Sequence, residues 1–167
     1  VLRGDGAILA VVMVADEGGL PADLRQGILD GKRRPHGHVL PQTLAVHLNV
    51  ADALVQRSWR VVRIAVHSQA RRLGIGRACL AQLDALARQE NVALLGSLFA
   101  ASADVLAFWQ SCGFSTLRVG ITPEATSGSH PVLVARALNE PGAALLAQAR
   151  QRFEHTFLIG LADSHPD

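Results

Sequence analysis

Apolar positions recur along this chain with two different periods. Ile8 to Ala15 is an apolar strand behind Asp5-Gly6, a dipeptide that favours a hairpin turn. Gly18-Gly19-Leu20-Pro21 breaks that strand. A short helix is predicted from Pro21 to Leu29, ended by Gly31. Lys32-Arg33-Arg34-Pro35-His36-Gly37 reads as a basic loop, and Leu40, Leu44 and Leu48 share one face of a second helix from Val39. Trp59 to His67 is the clearest strand, and its near-continuous apolar run predicts a central strand buried on both faces. From Ile75, apolar Ile75, Cys79, Leu83 and Leu86 follow a helical spacing. Val92 to Phe99 is a further strand. Ser102 is placed to cap a helix that Gly113 closes, with Phe114 making the contact beyond the C-cap. Thr116–Val119 and Val132–Leu138 are two more strands, and Asn139-Glu140-Pro141 opens a helix with Leu145, Ala149, Phe153, Phe157 and Leu161 in one stripe. The order predicts a mixed α/β domain with a single sheet.

Composition narrows the chemistry. The chain has 167 residues, 49% apolar and 18% charged, as in a folded domain and unlike a disordered segment. No apolar run approaches the ~18 residues of a membrane span, and no signal peptide precedes Val1, so a cytoplasmic protein without a membrane partner is expected. A chain that opens on Val1 reads as a piece of a longer protein. Tyrosine is absent and Lys32 is the only lysine, which removes a tyrosine general acid and disfavours a lysine nucleophile. Cys79 and Cys112 fall in helical segments and read as packing residues, which fits a reducing compartment. No metal site is expected. The net charge of +2 is uneven: residues 59–90 hold six arginines against Asp84 and Glu90. That concentration suggests a local anion site more than a generally basic surface.

The anion site has an address. A long strand is followed by Arg71-Arg72-Leu73-Gly74-Ile75-Gly76-Arg77 and then a helix. Glycines let backbone approach a ligand, and first-turn N–H groups lack intrahelical partners, so a pyrophosphate suits the loop. The pattern is neither a Walker A loop nor G-x-G-x-x-G, since position 79 is cysteine. A plain glycine turn with solvated arginines is the competing reading.

Arg-x-x-Gly-x-Gly after a long apolar strand resembles the acetyl-CoA loop of the Gcn5-related N-acetyltransferase (GNAT) superfamily. Arg63-Ile64-Ala65-Val66-His67, Phe108 through Phe114, and Glu124-Ala125-Thr126-Ser127-Gly128 are similar to the acetyltransferase module of the bacterial tRNA(Met) cytidine acetyltransferase family. Asp16 through Leu20 and Arg33-Arg34-Pro35 match it upstream, in the same order. The resemblance implies a GNAT-type, mostly antiparallel sheet flanked by helices over residues 1–138, lacking the superfamily's first strand and helices. Residues 139–167 would be a helix leading toward a tail. It implies acetyl-CoA as cofactor, tRNA(Met) as substrate, and ATP and Mg²⁺ only through a helicase-like module outside this stretch. Ile64, Ala65 and Val66 would hold the pantetheine arm where the sheet splays, Arg71 through Arg77 the pyrophosphate, and Asp104 a further cofactor contact. Ser111 stands where the family can carry a cofactor-binding arginine.

The implied chemistry is direct attack of cytosine N4 on the thioester, with a backbone N–H near Val66 or His67 holding the oxyanion. N4 must lose a proton as it acylates, so a base is useful. His67 is the first candidate, with strand-end capping as its structural alternative; Glu124 and His130 are the second. His38 and His47 read as structural, and Phe108, Trp109 and Phe114 as core. Lys32-Arg33-Arg34 is the best phosphate-contacting run outside the cofactor loop, with an ordinary solvated loop as the competing reading of equal weight. The competing functions are acetylation of a small-molecule or protein amine by the same fold, and a non-catalytic cofactor- or RNA-binding fragment.

Overall fold

A computed structural model describes the backbone of residues 1–120, 128 and 130–163, and the side chains of these except 2 and 157–163. Its strands are β1 (Leu2–Gly4), β2 (Ala7–Gly18), β3 (Arg57–Val66), β4 (Leu94–Ala100), β5 (Ser115–Val119) and β6 (Pro131–Ala137). Its α-helices are α1 (Ala22–Leu29), α2 (Val39–His47), α3 (Ile75–Gln89), α4 (Ala103–Ser111) and α5 (Glu140–Asp163). The sheet order is β1-β2-β3-β4-β6-β5. Every neighbouring pair is antiparallel except β3 and β4.

The turn residues act as their sequence implies. Asp5 and Gly6 both take positive φ, 47° and 81°, as a tight hairpin between β1 and β2 requires. Ser102 Oγ accepts from the Val105 N–H at the start of α4, and Asn139 Oδ1 accepts from the Gly142 N–H at the start of α5. Gly142 has a further reason to be glycine: a Cβ there would stand 1.9 Å from the Ala93 carbonyl oxygen.

Strand alternation divides the interior into two layers. Leu94 on β4 and Leu133 and Ala135 on β6 pack with Leu40, Leu44 and Leu48 of α2 and Leu145 and Ala149 of α5. Leu95 on β4 and Val132 and Val134 on β6 face the other way, onto Leu80 and Ala87 of α3, Trp109 of α4 and Phe114. So α2 and α5 cover one face, and α3 and α4 the other. The stripe expected on α5 holds through Phe153, which packs against the first layer; the side chains of Phe157 and Leu161 lie outside the described residues. On α3 the expected stripe holds at Cys79, which is buried, and at Leu83, which packs on this layer; Leu80 and Ala87 join it, while Leu86 is 49% exposed.

The apolar run of β3 also behaves differently from expectation. Val61 is 1% exposed, but Val62 is 43% exposed, Ala65 is exposed, and Ile64 and Val66 are half-buried. The run is apolar without being covered, because β3 and β4 part company along it.

Candidate functional site: a gap in the sheet beside a helix N-terminus

Pairing between β3 and β4 runs only from Ser58–Leu94 to Val61–Ser97. Ser97 Oγ closes it by donating to the Val61 carbonyl at 2.9 Å. Beyond that point β3 stays with β2 as far as Val66–Ala10, and β4 stays with β6 as far as Ala100–Pro131. The sheet therefore opens between two strands that each keep their outer partner. A register shift between Met13 and Val14 puts an extra residue in β3 at this place, and such bulges re-aim backbone groups.

Alternation decides which amides face the gap. The His67 N–H donates to the Leu9 carbonyl at 2.8 Å, on the β2 side. Val66 and Ile64, opposite Ala10 and Val12, then point their N–H and C=O groups away from β2 and into the opening. Of the two oxyanion donors expected from the sequence, His67 is thus already engaged and Val66 is turned to the gap.

A cleft of about 380 Å³ lies at this opening. Of the residues singled out from the sequence, Ile64, Val66, Arg71, Arg72, Gly74, Ile75, Gly76 and Arg77 line it. Ala65, Leu73 and Asp104 do not: Ala65 alternates outward, Leu73 is 70% exposed, and Asp104 sits exposed in the first turn of α4. Ala70 and Phe108 line it unpredicted. Phe108 packs on the core layer of α3 and α4, and a Cβ on Gly76 would stand 3.3 Å from its Cζ. Its apolar spacing signalled core and gave no sign of the second, open side.

The loop into α3 has the backbone its glycines suggest. Gly74 is the N-cap, at φ 77° with open space around its Cα. Arg72 is also left-handed, at φ 63°. The first intrahelical bond runs from the Ala78 N–H to the Gly74 carbonyl, so the N–H groups of Ile75, Gly76 and Arg77 have no helical acceptor. Arg71 Nε donates to the Val66 carbonyl at 3.5 Å. Neither Arg71 nor Arg72 has a carboxylate partner among the described residues. Arg77 is committed elsewhere: it donates to the Ser111 carbonyl at 2.8 Å and to Ser111 Oγ at 3.0 Å, tying α3 to the C-terminus of α4. The available charge is Arg71, Arg72 and the helix N-terminus, an arrangement that binds a phosphate group.

The candidate bases separate by tautomer. His67 is exposed past the end of β3, and its Nδ1 accepts from the Gln69 N–H at 3.3 Å. The neutral ring then carries its proton on Nε2, and its lone pair is spent on a turn. His130 Nδ1 lies 2.7 Å from the Gly120 carbonyl oxygen. A carbonyl only accepts, so Nδ1 is the donor and Nε2 presents a lone pair. His130 follows the end of β4 through the Ala101 N–H, which donates to its carbonyl. Glu124 lies outside the described residues. Burial pushes the Cys79 thiol up, which suits an inert packing residue. Among the described residues no cluster of three or more His, Cys, Asp or Glu stands ready for a metal ion, and no helix is long and apolar enough to cross a membrane.

The family model for GNAT acetyltransferase 2 matches residues 6–90, from the hairpin to the end of α3. The chain belongs to that family. Among curated proteins it is 37% identical over 153 residues to the tRNA(Met) cytidine acetyltransferase TmcA of Nitrosococcus halophilus (strain Nc4), covering 92% of this chain and 20% of the relative. It is 40% identical over 147 residues to the TmcA of Pectobacterium atrosepticum, covering 88% and 21%. The chain thus spans about a fifth of the length of these relatives. Among solved structures, the ribosomal-protein-alanine N-acetyltransferase of Brucella melitensis aligns with a TM-score of 0.53 at 18% identity, over 83% of this chain and 67% of that one. Naa20 of Chaetomium thermophilum in complex with a bisubstrate analogue aligns at 0.53 and 20%, over 81% and 63%. These neighbours establish the GNAT fold, the mixed and mostly antiparallel sheet with flanking helices expected from the sequence. In this member of the family, α1, α2 and a short 3-10 helix (Ala51–Leu54) sit between β2 and β3.

Proposed function

We propose that this chain is the acetyl-transfer module of an enzyme that acetylates N4 of the wobble cytidine of elongator tRNA(Met), with acetyl-CoA as donor. The observation that carries the reading is the β3–β4 gap, which opens beside a helix N-terminus with two arginines that have no carboxylate partner among the described residues. Relatives named tRNA(Met) cytidine acetyltransferase match some nine-tenths of the chain around it.

The residues present suit that donor. The α3 N–H groups with Arg71 and Arg72 would hold a pyrophosphate, and the gap-facing edge of β3 at Ile64 and Val66 offers amide groups to an extended amide-bearing arm. Acetyl-CoA supplies an activated thioester carbonyl when bound. The chain's own part is to align the two reactants, which supplies much of the acceleration. The Val66 N–H donates to the oxygen on which charge develops. Nε2 of His130 takes the proton that N4 sheds, and Glu124 is the second candidate for that task. This stretch holds no tyrosine that could protonate the leaving thiolate, and on this reading its proton comes from water. ATP and Mg²⁺ use belongs, on this reading, to a helicase-like module outside this stretch.

The test follows labelled acetyl from acetyl-CoA with the full-length protein and ATP, offering tRNA(Met), spermine and a peptide amine in parallel. The expected product is N4-acetylcytidine in the tRNA alone. Label in the polyamine or peptide and none in the tRNA would replace the reading with acetylation of a small-molecule or protein amine. Acetyl-CoA binding without transfer to any acceptor would leave a non-catalytic module.

A further inference from the structure

A second cavity of about 380 Å³ opens between the C-terminus of α1, the 31–37 loop and α2. Because α2 packs on the face opposite α3, this cavity lies across the sheet from the cofactor cleft. Arg33, Arg34, His36 and His47 line it, and no carboxylate does. Asp30, just before the loop, is taken by Lys32 at 3.0 Å and by Gln26 at 2.7 Å, and Glu17, whose carboxylate sits at the start of α2, is taken by Arg60 and the Leu40 N–H. The free cations are therefore the arginines: neither Arg33 nor Arg34 has an acidic partner among the described residues.

The rim is built in advance of any ligand. The Lys32 and Arg33 N–H groups both donate to the Gly27 carbonyl at 2.9 Å. The Arg33 stem lies where a Cβ on Gly27 would come, 3.0 Å from Arg33 Cδ. Gln42 Nε2 donates to the Pro35 and Gly37 carbonyls at 3.0 and 2.8 Å, fastening the loop to α2. A third arginine, Arg118, stands outside the lining but near enough to His47 in the wall for its charge to act on that ring. The register shift between Thr116 and Arg118 sets Arg118 opposite Leu133, on the α2 face. Burial, then the charges of Arg118 and Arg34, hold the His47 imidazole below its ordinary value, so both guanidinium groups lie close enough to act on it. The walls also carry apolar surface, with Val46 54% exposed.

We propose that this cavity is a phosphodiester-binding subsite for the RNA acceptor, with Arg33 and Arg34 lining it and Arg118 on the same face of the sheet beside it. It rests on the reading that RNA is the acceptor. Unpaired guanidinium groups fit phosphate oxygens, and exposed apolar wall beside them fits a nucleotide better than a bare anion. The opposite face from the cofactor cleft lets both ligands bind at once.

Fluorescence anisotropy of labelled tRNA(Met), and of a labelled RNA of unrelated sequence, tests it across a salt series. Arg34→Ala and Arg118→Ala are each expected to weaken both RNAs by about 3–10-fold and lower the salt slope by roughly one, as loss of a phosphate contact does. Arg34→Lys should retain most of the affinity. Circular dichroism and an unchanged acetyl-CoA affinity establish that the variants are folded. Unchanged RNA affinity and slope in the Arg34→Ala/Arg118→Ala double variant would overturn the proposal. So would tight binding of inorganic phosphate that the double variant abolishes while RNA affinity stays put, which would mark a free-anion site. Acetyl transfer is not the readout. Loss of RNA affinity in the double variant, together with no acetylation of tRNA by the unaltered protein, would keep the subsite and remove the transferase reading. The reverse pattern would do the opposite.

Discussion

Glu17 near the end of β2 is 2% exposed. Its Oε1 accepts from Arg60 Nε on β3 at 2.8 Å, and its Oε2 accepts from the Leu40 N–H in the first turn of α2 at 2.8 Å. One carboxylate thus joins two strands to the helix that floors the second cavity, and it sits where a helix N-terminus favours negative charge. The Arg60 side chain is 15% exposed and that of Glu17 only 1%, so the two partners are unequal. Arg60→Met keeps most of the aliphatic stem and leaves a buried carboxylate with a single donor. Removing one partner of a buried pair costs about 3–5 kcal/mol. Glu17→Gln keeps an acceptor for the Leu40 N–H and leaves behind an arginine that still reaches water. What it loses is a charge-assisted bond, about 1.5–3 kcal/mol. The double variant has no buried charge left to compensate and should recover most of the larger loss, a coupling of roughly 2 kcal/mol or more. Against a typical total of about 5–15 kcal/mol, these are easily read shifts in urea midpoint, with the slope unchanged. If Arg60→Met costs less than Glu17→Gln, or if the two losses simply add, the buried pair is not what ties α2 to the sheet.

Three further outcomes are expected. In Gly76→Ala the new Cβ meets Phe108 at 3.3 Å and Val66 Cγ2 at 3.7 Å, so acetyl-CoA affinity should change little. Gly76→Glu sets a carboxylate about 5 Å from a bound phosphate, costing ~3 kcal/mol at an effective dielectric of about 20, or ~100-fold in Kd by calorimetry; an unaltered Kd would reject the loop as the pyrophosphate site. His130→Ala should lower kcat by about 100-fold or more at unchanged acetyl-CoA affinity, whereas His67→Ala should leave kcat within about threefold; the opposite order would make His67 the base. By NMR, His47 should titrate below 6.5 because of burial first, then Arg118 and Arg34. Its folded value is depressed, so the unfolded chain binds more protons in that window and stability rises with pH up to about 6.5. Arg118→Ala should move the His47 titration upward, and a stationary curve would show that Arg118 does not act there.

Periodicity and turn chemistry are local properties, and what they govern was legible: the hairpin at Asp5-Gly6, the Ser102 and Asn139 caps and the α3 start at Gly74 all form as the residues imply. Hydrophobicity was less informative at the site itself. The Val61–Val66 run predicts a buried strand because sequence cannot distinguish apolar surface covered by protein from apolar surface left beside a gap. The commitment of Arg77 to Ser111 and of His67 to Gln69 is likewise invisible in a residue count, since both depend on where a distant or adjacent backbone group ends up. The second cavity shows the same limit from the other side. The sequence marks Arg33 and Arg34 as cations, but Arg118 lies more than eighty residues away and reaches the same face only through the β5 bulge. A bulge reverses the facing of every residue after it, so one extra residue in a short strand decides whether a third arginine joins the pair or points away. Charge becomes a site only when the register brings it together without a carboxylate, and register is what the linear pattern of this chain leaves open.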